Sequence, residues 1–380
     1  MIRPGHPWIF RSQFLKPSQP VKPADIVSVM DSEDRFVGRG YYNPKSEISV
    51  RLLTFKDEPI DKIFFVNRIK AAAEKRKDLL AKTNAHRAVF SEADSLPGLI
   101  VDIYRDTAVF QILTLGMERF KSIIVEAIKD ALRPKYIYEK SASPFRKLEG
   151  LKDVTGWRGE PGENPIEIFE GKVKFLVDIE RGHKTGFYLD QRKSRAALEN
   201  ISKGKRVLDL FCYTGGFAVA AAVYGAKYCR GVEIKEGWLE TARKNAELNG
   251  VAEKTEFVRA DAFSALEDIC DSGDRFDIII LDPPSFLKKK ESLASASKGY
   301  KELNLLAMKA LEEGGALATF SCSHNMPGEK FARILKETAA EAGKGFTILK
   351  RCHQAEDHPI VRAIPETEYL KGYLLKISDK

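Results

Sequence analysis

The chain has 380 residues, 43% of them hydrophobic and 31% charged, which is more than one ordinary core can organise and implies two or three globular domains. Lys and Arg number 62 against 54 Asp and Glu, and the resulting formal charge of +8 favours an anionic partner without requiring one. No run of eighteen apolar residues is present, and the segment MIRPGHPWIFRSQF lacks the apolar stretch of a secretory signal, so a soluble cytoplasmic protein with no membrane partner is expected. Cys212, Cys229, Cys270, Cys322 and Cys352 form no CxxC pair, which predicts free thiols, no disulfide framework and no metal site.

In chain order, residues 1–70 carry short alternating runs, DIVSVMD, FVGRGYYN and EISVRLLT, broken by Pro, Gly and Asp, and these predict a small β domain. Arg35, Arg39, Lys45 and Arg51 among Tyr41 and Tyr42 make a basic and aromatic mixture that suits a nucleic acid, although a plain barrel with solvated charges fits those residue types equally well. A helical pattern runs from Ile60 to about Leu80. The stretch AVFSEADSLPGLIVDIYRDTAVFQILT then reads as strand, turn, strand, strand, so that residues 71–165 form a second, α+β unit. The Gly/Pro-rich WRGEPGENP leads into a hairpin turning at Glu170 and Gly171, and the third domain is placed at 166–380.

From Lys205 the pattern changes to apolar strands, each followed by an amphipathic segment of helical length: RVLDLFCY, YCRGVEI, TEFVRAD, FDIIILD and GALATFSCS. This alternation predicts an α/β parallel sheet with helices on both faces, and FTILKRCHQ and YLKGYLLKI should close one edge as a hairpin.

The chemistry collects at the strand ends. Asp209 is followed by Phe211, Thr214, Gly215 and Gly216, and glycines after a buried strand let a ligand approach the backbone at the carboxyl edge of a sheet. The spacing is not GxGxxG, so a dinucleotide-dependent oxidoreductase is disfavoured. Glu233 ends the second strand, where a carboxylate can accept from ribose hydroxyls, and Asp261, followed by Ala262, ends the third, where it can accept from an adenine amine. A single acidic strand end could be a helix cap, but three in succession point to an adenosine site. The fourth strand runs into Asp282-Pro283-Pro284-Ser285-Phe286, a stiff loop in which Phe286 could stack on a flat heterocycle while Asp282 engages its polar edge. The fifth delivers Cys322 to the same edge; a lone cysteine is more often a small buried hydrophobe, and its position is what singles it out.

The motifs DLFCYTGGF, LDPPSF and FSCS resemble those of 23S rRNA 5-methylcytosine methyltransferases of the RlmI type, and the resemblance covers nearly the whole chain. GYYNPKS at 40–46 is similar to the PUA domain of that family, and DSLPGLIVD at 94–102 to its central domain. The segment Gly182 to Arg192, GHKTGFYLDQR, matches the signature ahead of the catalytic sheet. The resemblance implies a Rossmann-like class I methyltransferase domain, a mostly parallel seven-stranded sheet with a C-terminal antiparallel hairpin, behind the two smaller domains. It also implies S-adenosylmethionine as cofactor, held by the strand-end residues above together with Asp282, Pro283, Tyr188 and Gln191. A cytosine of large-subunit rRNA would be the substrate, met by Pro284, Phe286, Arg192 and Lys184. Cys322 would then add to carbon 6 of the ring with Asp282 supporting the adduct, because carbon 5 is too weak a nucleophile to attack a methyl sulfonium unaided. A guanine methyltransferase on the same scaffold would need no thiol, and a non-catalytic RNA-binding protein would need none of these acidic residues. A small-molecule methyltransferase would have no use for two basic leading domains. A homodimer is compatible with the sequence, and His183 reads as an acid, a base or a structural hydrogen-bonding group.

Overall fold

The computed structural model describes residues 5–13, 17–285, 293–323 and 325–379. The chain divides into two compact units, each assembled from separated segments: one from Met1–Glu170, Val177–Leu189 and Glu356–Thr367, the other from Gly171–Leu176, Asp190–Ala355 and Glu368–Lys380.

The first unit holds two sheets. Strands β1 (Trp8–Phe10), β2 (Ile26–Met30), β3 (Phe36–Tyr42) and β4 (Ile48–Thr54) form an antiparallel sheet in the order β1-β4-β3-β2. Helix α1 (Lys62–Glu74) starts at Asp61, whose side chain accepts from the Phe64 N–H at 2.9 Å and so satisfies a backbone donor left open at the helix start. Strands β5 (Ala85–Phe90), β6 (Leu99–Tyr104), β7 (Thr107–Ile112), β8 (Tyr136–Ser141) and β9 (Val154–Trp157) form a sheet in sequence order, parallel only between β7 and β8. That one crossover carries α2 (Leu115–Arg119) and α3 (Lys121–Leu132), as a parallel connection requires; the short α4 (Pro144–Leu148) follows β8. Phe64, Phe65 and Ile69 of α1 and Ile124 and Ile128 of α3 pack with Val89, Val101 and Phe110 in one core. Strand β10 (Ile166–Glu170) ends this unit's first segment, and β11 (Val173–Val177) follows it in sequence after the turn expected at Glu170 and Gly171.

Part of the predicted basic and aromatic surface is corrected here. Tyr41 points inward from β3, only 1% exposed, and its hydroxyl donates to the Pro97 carbonyl at 2.9 Å; it fits because Gly116 has no Cβ, which would stand 1.9 Å from the ring. Arg51 is buried as well, and its guanidinium lies 2.9 Å from the Glu149 carboxylate, because a charge taken out of water must be paired. Arg35 pairs with Asp31 and Glu33, and Arg39 with Asp57, so within this group Lys45 is the exposed cation that makes no ion pair among the described residues.

The second unit is a doubly wound α/β layer. Strands β12 (Arg206–Leu210), β13 (Tyr228–Glu233), β14 (Thr255–Arg259), β15 (Phe276–Leu281), β16 (Leu311–Ser321), β17 (Lys344–Cys352) and β18 (Lys371–Asp379) join in the order β14-β13-β12-β15-β16-β18-β17. The first five are parallel, and β18 lies antiparallel between β16 and β17. Helices α5 (Arg192–Ala197), α6 (Gly216–Val223), α7 (Glu236–Leu248), α8 (Ala262–Ser272), α9 (Leu293–Ala310) and α10 (Gly328–Glu341) connect them. Leu208, Leu210, Ile279 and Leu281 are fully buried because central parallel strands are covered on both faces, which is why they read in sequence as unbroken apolar runs. The order reverses between β12 and β15, so the carboxyl ends of those strands open the crevice where ligands bind in such sheets. Among the described residues no helix is long and apolar enough to cross a membrane.

Candidate active site

Asp209 sits at the centre of this crevice. It is 1% exposed, its Oδ2 accepts from the Ala218 N–H at 2.9 Å, and its Oδ1 has no hydrogen-bond partner. Burial pushes its pKa up to about 8; the Ala218 N–H opposes this, and the Asp282 and Glu233 carboxylates add to the rise. The carboxylates at the ends of β12, β13 and β15 therefore share one electrostatic neighbourhood, as strand ends at a switch point should.

The loop after β12 is wound tightly. Phe211 and Tyr213 have φ of 63° and 50°, left-handed values that cost non-glycine residues of the order of 1–3 kcal/mol each. Gly215 has φ of 77°, and a Cβ there would lie 3.0 Å from the Ala242 Cβ and 3.1 Å from the Phe257 ring, so glycine is demanded by both backbone and space. Asn245 holds the loop by donating to the Thr214 carbonyl at 2.9 Å, and the buried Thr214 Oγ1 has no partner. Gly216 is the first residue of α6.

Glu233 accepts from the Tyr213 N–H at 3.3 Å through Oε2, and from the Ile234 and Lys235 N–H groups at 2.9 and 3.2 Å through Oε1. Oε2 keeps a lone pair, so the carboxylate fastens the loop and can still accept from a ligand. Tyr213 also packs on Trp238 with ring centroids 4.9 Å apart, an aromatic pair beside Glu233 that the strand-end reading did not anticipate. Asp261 caps α8 through Oδ1, accepting from Phe263 N–H at 2.9 Å and Ser264 N–H at 3.3 Å, which realises the capping alternative for one of its oxygens. Ala262 is the first residue of that helix and is buried.

On the other side of the switch point, Asp282 is half-buried, Pro283 buried and Pro284 exposed, while Phe286 lies outside the described residues, as does the charge run at 288–291. Cys322 follows β16, next to β15, and its Sγ stands 3.9 Å from the Pro283 carbonyl oxygen, a contact at which a thiol donates weakly. Behind it, the Tyr300 hydroxyl donates to Ser321 Oγ at 2.9 Å. Burial raises the Tyr300 phenol, with the Cys322 and Asp282 charges adding to the shift. Lys371 of β18 donates through Nζ to the Ser323 carbonyl at 2.7 Å and the Tyr369 carbonyl at 3.0 Å. Gln191 and Arg192, at the start of α5, are buried, and Gln191 Oε1 has no partner. Among the described residues the second unit thus presents buried acceptors without partners (Asp209 Oδ1, Thr214 Oγ1, Gln191 Oε1), a glycine-lined loop and a thiol against the Asp282–Pro283 turn. Those acceptors fit a ligand carrying hydroxyl and amine donors, as an adenosyl amino acid does.

Tyr188, Lys184 and His183 belong to the first unit. There Lys184 Nζ lies 4.4 Å above the Tyr188 ring and His183 Nδ1 is 3.2 Å from the Tyr188 hydroxyl. Their segment is anchored by Thr185, fully buried, whose hydroxyl donates to Asp102 Oδ2 at 2.5 Å and stands 2.8 Å from the Tyr104 hydroxyl. Asp102 also accepts the Arg87 guanidinium in bidentate fashion, at 2.7 and 2.8 Å. Lys140 Nζ donates to the Ile179 and Gly182 carbonyls at 2.6 Å each, and burial lowers its pKa to about 8.

The family model described as S-adenosylmethionine-dependent methyltransferase matches residues 152–375, and that of a PUA-like domain matches residues 1–55. The chain is similar to ribosomal RNA large subunit methyltransferase I of Aeromonas hydrophila, 43% identical over 98% of this chain and 95% of the relative. Its likeness to the protein of the same name from Alteromonas mediterranea is 42% identity over 100% and 96% of the two chains. Among solved structures it is similar to SMU.776 in complex with SAH, with a TM-score of 0.86 and 25% identity over 98% of this chain and 96% of that one.

Proposed function

The chain belongs to the S-adenosylmethionine-dependent methyltransferases, within the ribosomal RNA large subunit methyltransferase I family, and from that premise we propose that it methylates carbon 5 of a cytosine in large-subunit rRNA through a covalent adduct on Cys322. The observation that supports the cytosine reading is the meeting of Cys322 with the Asp282–Pro283 turn across neighbouring parallel strands, 3.9 Å from Sγ to the Pro283 oxygen. Methylation of a ring nitrogen of guanine needs no thiol at that position.

Asp209, Phe211, Thr214, Gly215, Gly216, Glu233, Asp261, Ala262 and the Asp282–Pro283 turn would hold the cofactor, with Gln191 adding its buried acceptor. Bound S-adenosylmethionine supplies the electrophilic methyl that the activated carbon accepts. The chain's own part begins with the Cys322 thiolate. Its lone pair forms the bond from sulfur to carbon 6, the π pair of the 5,6 double bond shifts to the carbon 4–carbon 5 bond, the displaced carbon 4–N3 pair takes a proton at N3, and the resulting enamine is nucleophilic at carbon 5. Asp282 hydrogen-bonds the ring and stabilises the adduct. Loss of the carbon-5 proton to a base then restores the double bond and expels the thiolate. Pro284, Phe286 and Arg192 are assigned to the unstacked base. For Tyr188 and Lys184, in the first unit, the assignments rest on the family resemblance, and the N-terminal β module of residues 1–70 is assigned to backbone contacts with the RNA.

The test is transfer of labelled methyl to unmodified large-subunit rRNA by native protein and by Cys322→Ala, with the product identified by mass spectrometry. Native protein should yield 5-methylcytosine, and the variant should lose activity by at least about 10³-fold, as removal of a covalent nucleophile does. A methylguanine product, or an active Cys322→Ala, would overturn the cytosine assignment and leave the methyltransferase standing.

A further inference from the structure

A cysteine that must react as a thiolate near neutral pH needs positive charge beside it. Among the described residues, charged and titratable groups set against Cys322 include Asp282 at the end of β15, Tyr300 of α9 and Lys371 of β18. Asp282 disfavours a second negative charge, and the Tyr300 phenol stays neutral because burial raises its pKa. Lys371 is the cation of the set.

Its placement follows from sheet register. Lys371 pairs with Ser321 across the antiparallel β16–β18 ladder, one residue before Cys322. Its ammonium reaches over to the Ser323 carbonyl, 2.7 Å away and one residue after Cys322. The residue is therefore tied to the chain on both sides of the thiol, by its own backbone opposite Ser321 and by its ammonium at Ser323. Of the three ammonium donors, the Ser323 and Tyr369 carbonyls account for two.

We propose that Lys371 is a positioning residue whose ammonium stabilises the Cys322 thiolate and holds it ready for attack. This rests on the reading of Cys322 as the nucleophile. On ionisation the S–H proton leaves for solvent, the pair stays on sulfur, and Lys371 remains protonated throughout. Burial lowers the Lys371 pKa, and the negative charges of Glu368 and Cys322 act against that fall.

The test reads the thiol directly. Full-length protein is alkylated with iodoacetamide across a range of pH, and the rate at Cys322 is resolved by peptide mass spectrometry. Lys371→Met should raise the midpoint of that profile by about one pH unit, a tenfold slower reaction at neutral pH, and Lys371→Arg should restore most of it. Cys270, partly exposed on α8, serves as the comparison whose profile should not move. Should Lys371→Met fail to fold, Lys371→Gln decides, since it keeps an N–H donor without the charge. Superimposable Cys322 profiles for native and uncharged variants would overturn the assignment. Unshifted alkylation with 5-methylcytosine as the native product removes Lys371 alone, whereas a native methylguanine product removes the nucleophile reading and the proposal with it.

Discussion

Replacing Asp209 by Asn tests whether a buried carboxyl group at the head of the crevice carries a proton. Native Asp209 has a folded pKa of about 8 against an ordinary value of 3.8. Between those values the folded chain binds the proton and the unfolded chain does not, so native stability falls as pH rises, by about 1.36 kcal/mol per pH unit. From about pH 5 to about pH 7 the native protein should therefore lose about 2.7 kcal/mol relative to Asp209→Asn, and the difference should level off once pH passes about 8. The variant is the right comparison because Asn keeps an oxygen to accept the Ala218 N–H, now at 2.9 Å from Oδ2, and does not titrate. Urea unfolding of both proteins at a series of pH values gives the two curves. Parallel curves would mean that Asp209 is ionised in the folded protein, and the picture of three crowded carboxylates at the strand ends would fall with them.

Thr214→Val removes a buried hydroxyl oxygen that has no partner, so stability should be unchanged or rise by about 1 kcal/mol, while S-adenosylmethionine affinity should fall about tenfold. Calorimetric titration measures the affinity, and an unaltered value would remove Thr214 from the cofactor site. Asp102→Asn breaks a fully buried bidentate pair with Arg87 and weakens the tie to Thr185, and should cost about 3–5 kcal/mol in denaturant unfolding. A loss below about 1 kcal/mol would show that the segment from Gly182 to Arg192 does not depend on this anchor.

Strands β12, β15 and the second half of β16 were legible because burial on both faces writes them as nearly unbroken apolar runs, whereas β13 and β14, nearer the edge, were read from their place in the strand–helix alternation; the strand order at the switch point brings Asp209, Glu233, Asp282 and Cys322 to one edge. Strands β8 and β9 and helix α3 are missing from the prediction: YIYEKS and VTGW are short and interrupted by charged residues or glycine, and KSIIVEAIKDAL, helical in spacing, takes its place only from the crossover between β7 and β8. Tyr41 and Arg51 misled for a different reason. Residue type cannot say which way a strand residue points, and both turn inward, to Pro97 and to Glu149. Lys371 was illegible because its place beside Cys322 depends on antiparallel register between residues fifty positions apart, which neither strand encodes alone. For Asp261 the sequence offered both a strand-end acceptor and a helix cap, and the start of α8 realises the cap.

The discontinuity of the first unit has a cost measured in time. The Arg87 N–H is accepted by Asp357 Oδ2 at 2.9 Å, and Arg76 donates to the Asp357 carbonyl at 3.1 Å, partners separated by 270 and 281 residues. At a synthesis rate of about 5–20 residues per second, the nascent chain holds those arginines for roughly 14 to 56 seconds before Asp357 exists. Throughout that interval the Arg87 N–H and one donor of Arg76 lack the acceptor they end on, although every strand of the two N-terminal sheets, the last ending at Trp157, has already been made. Contacts this distant in sequence are slow to form even when both ends are present, so the rate at which active protein accumulates should be governed by the last quarter of the message rather than by the first.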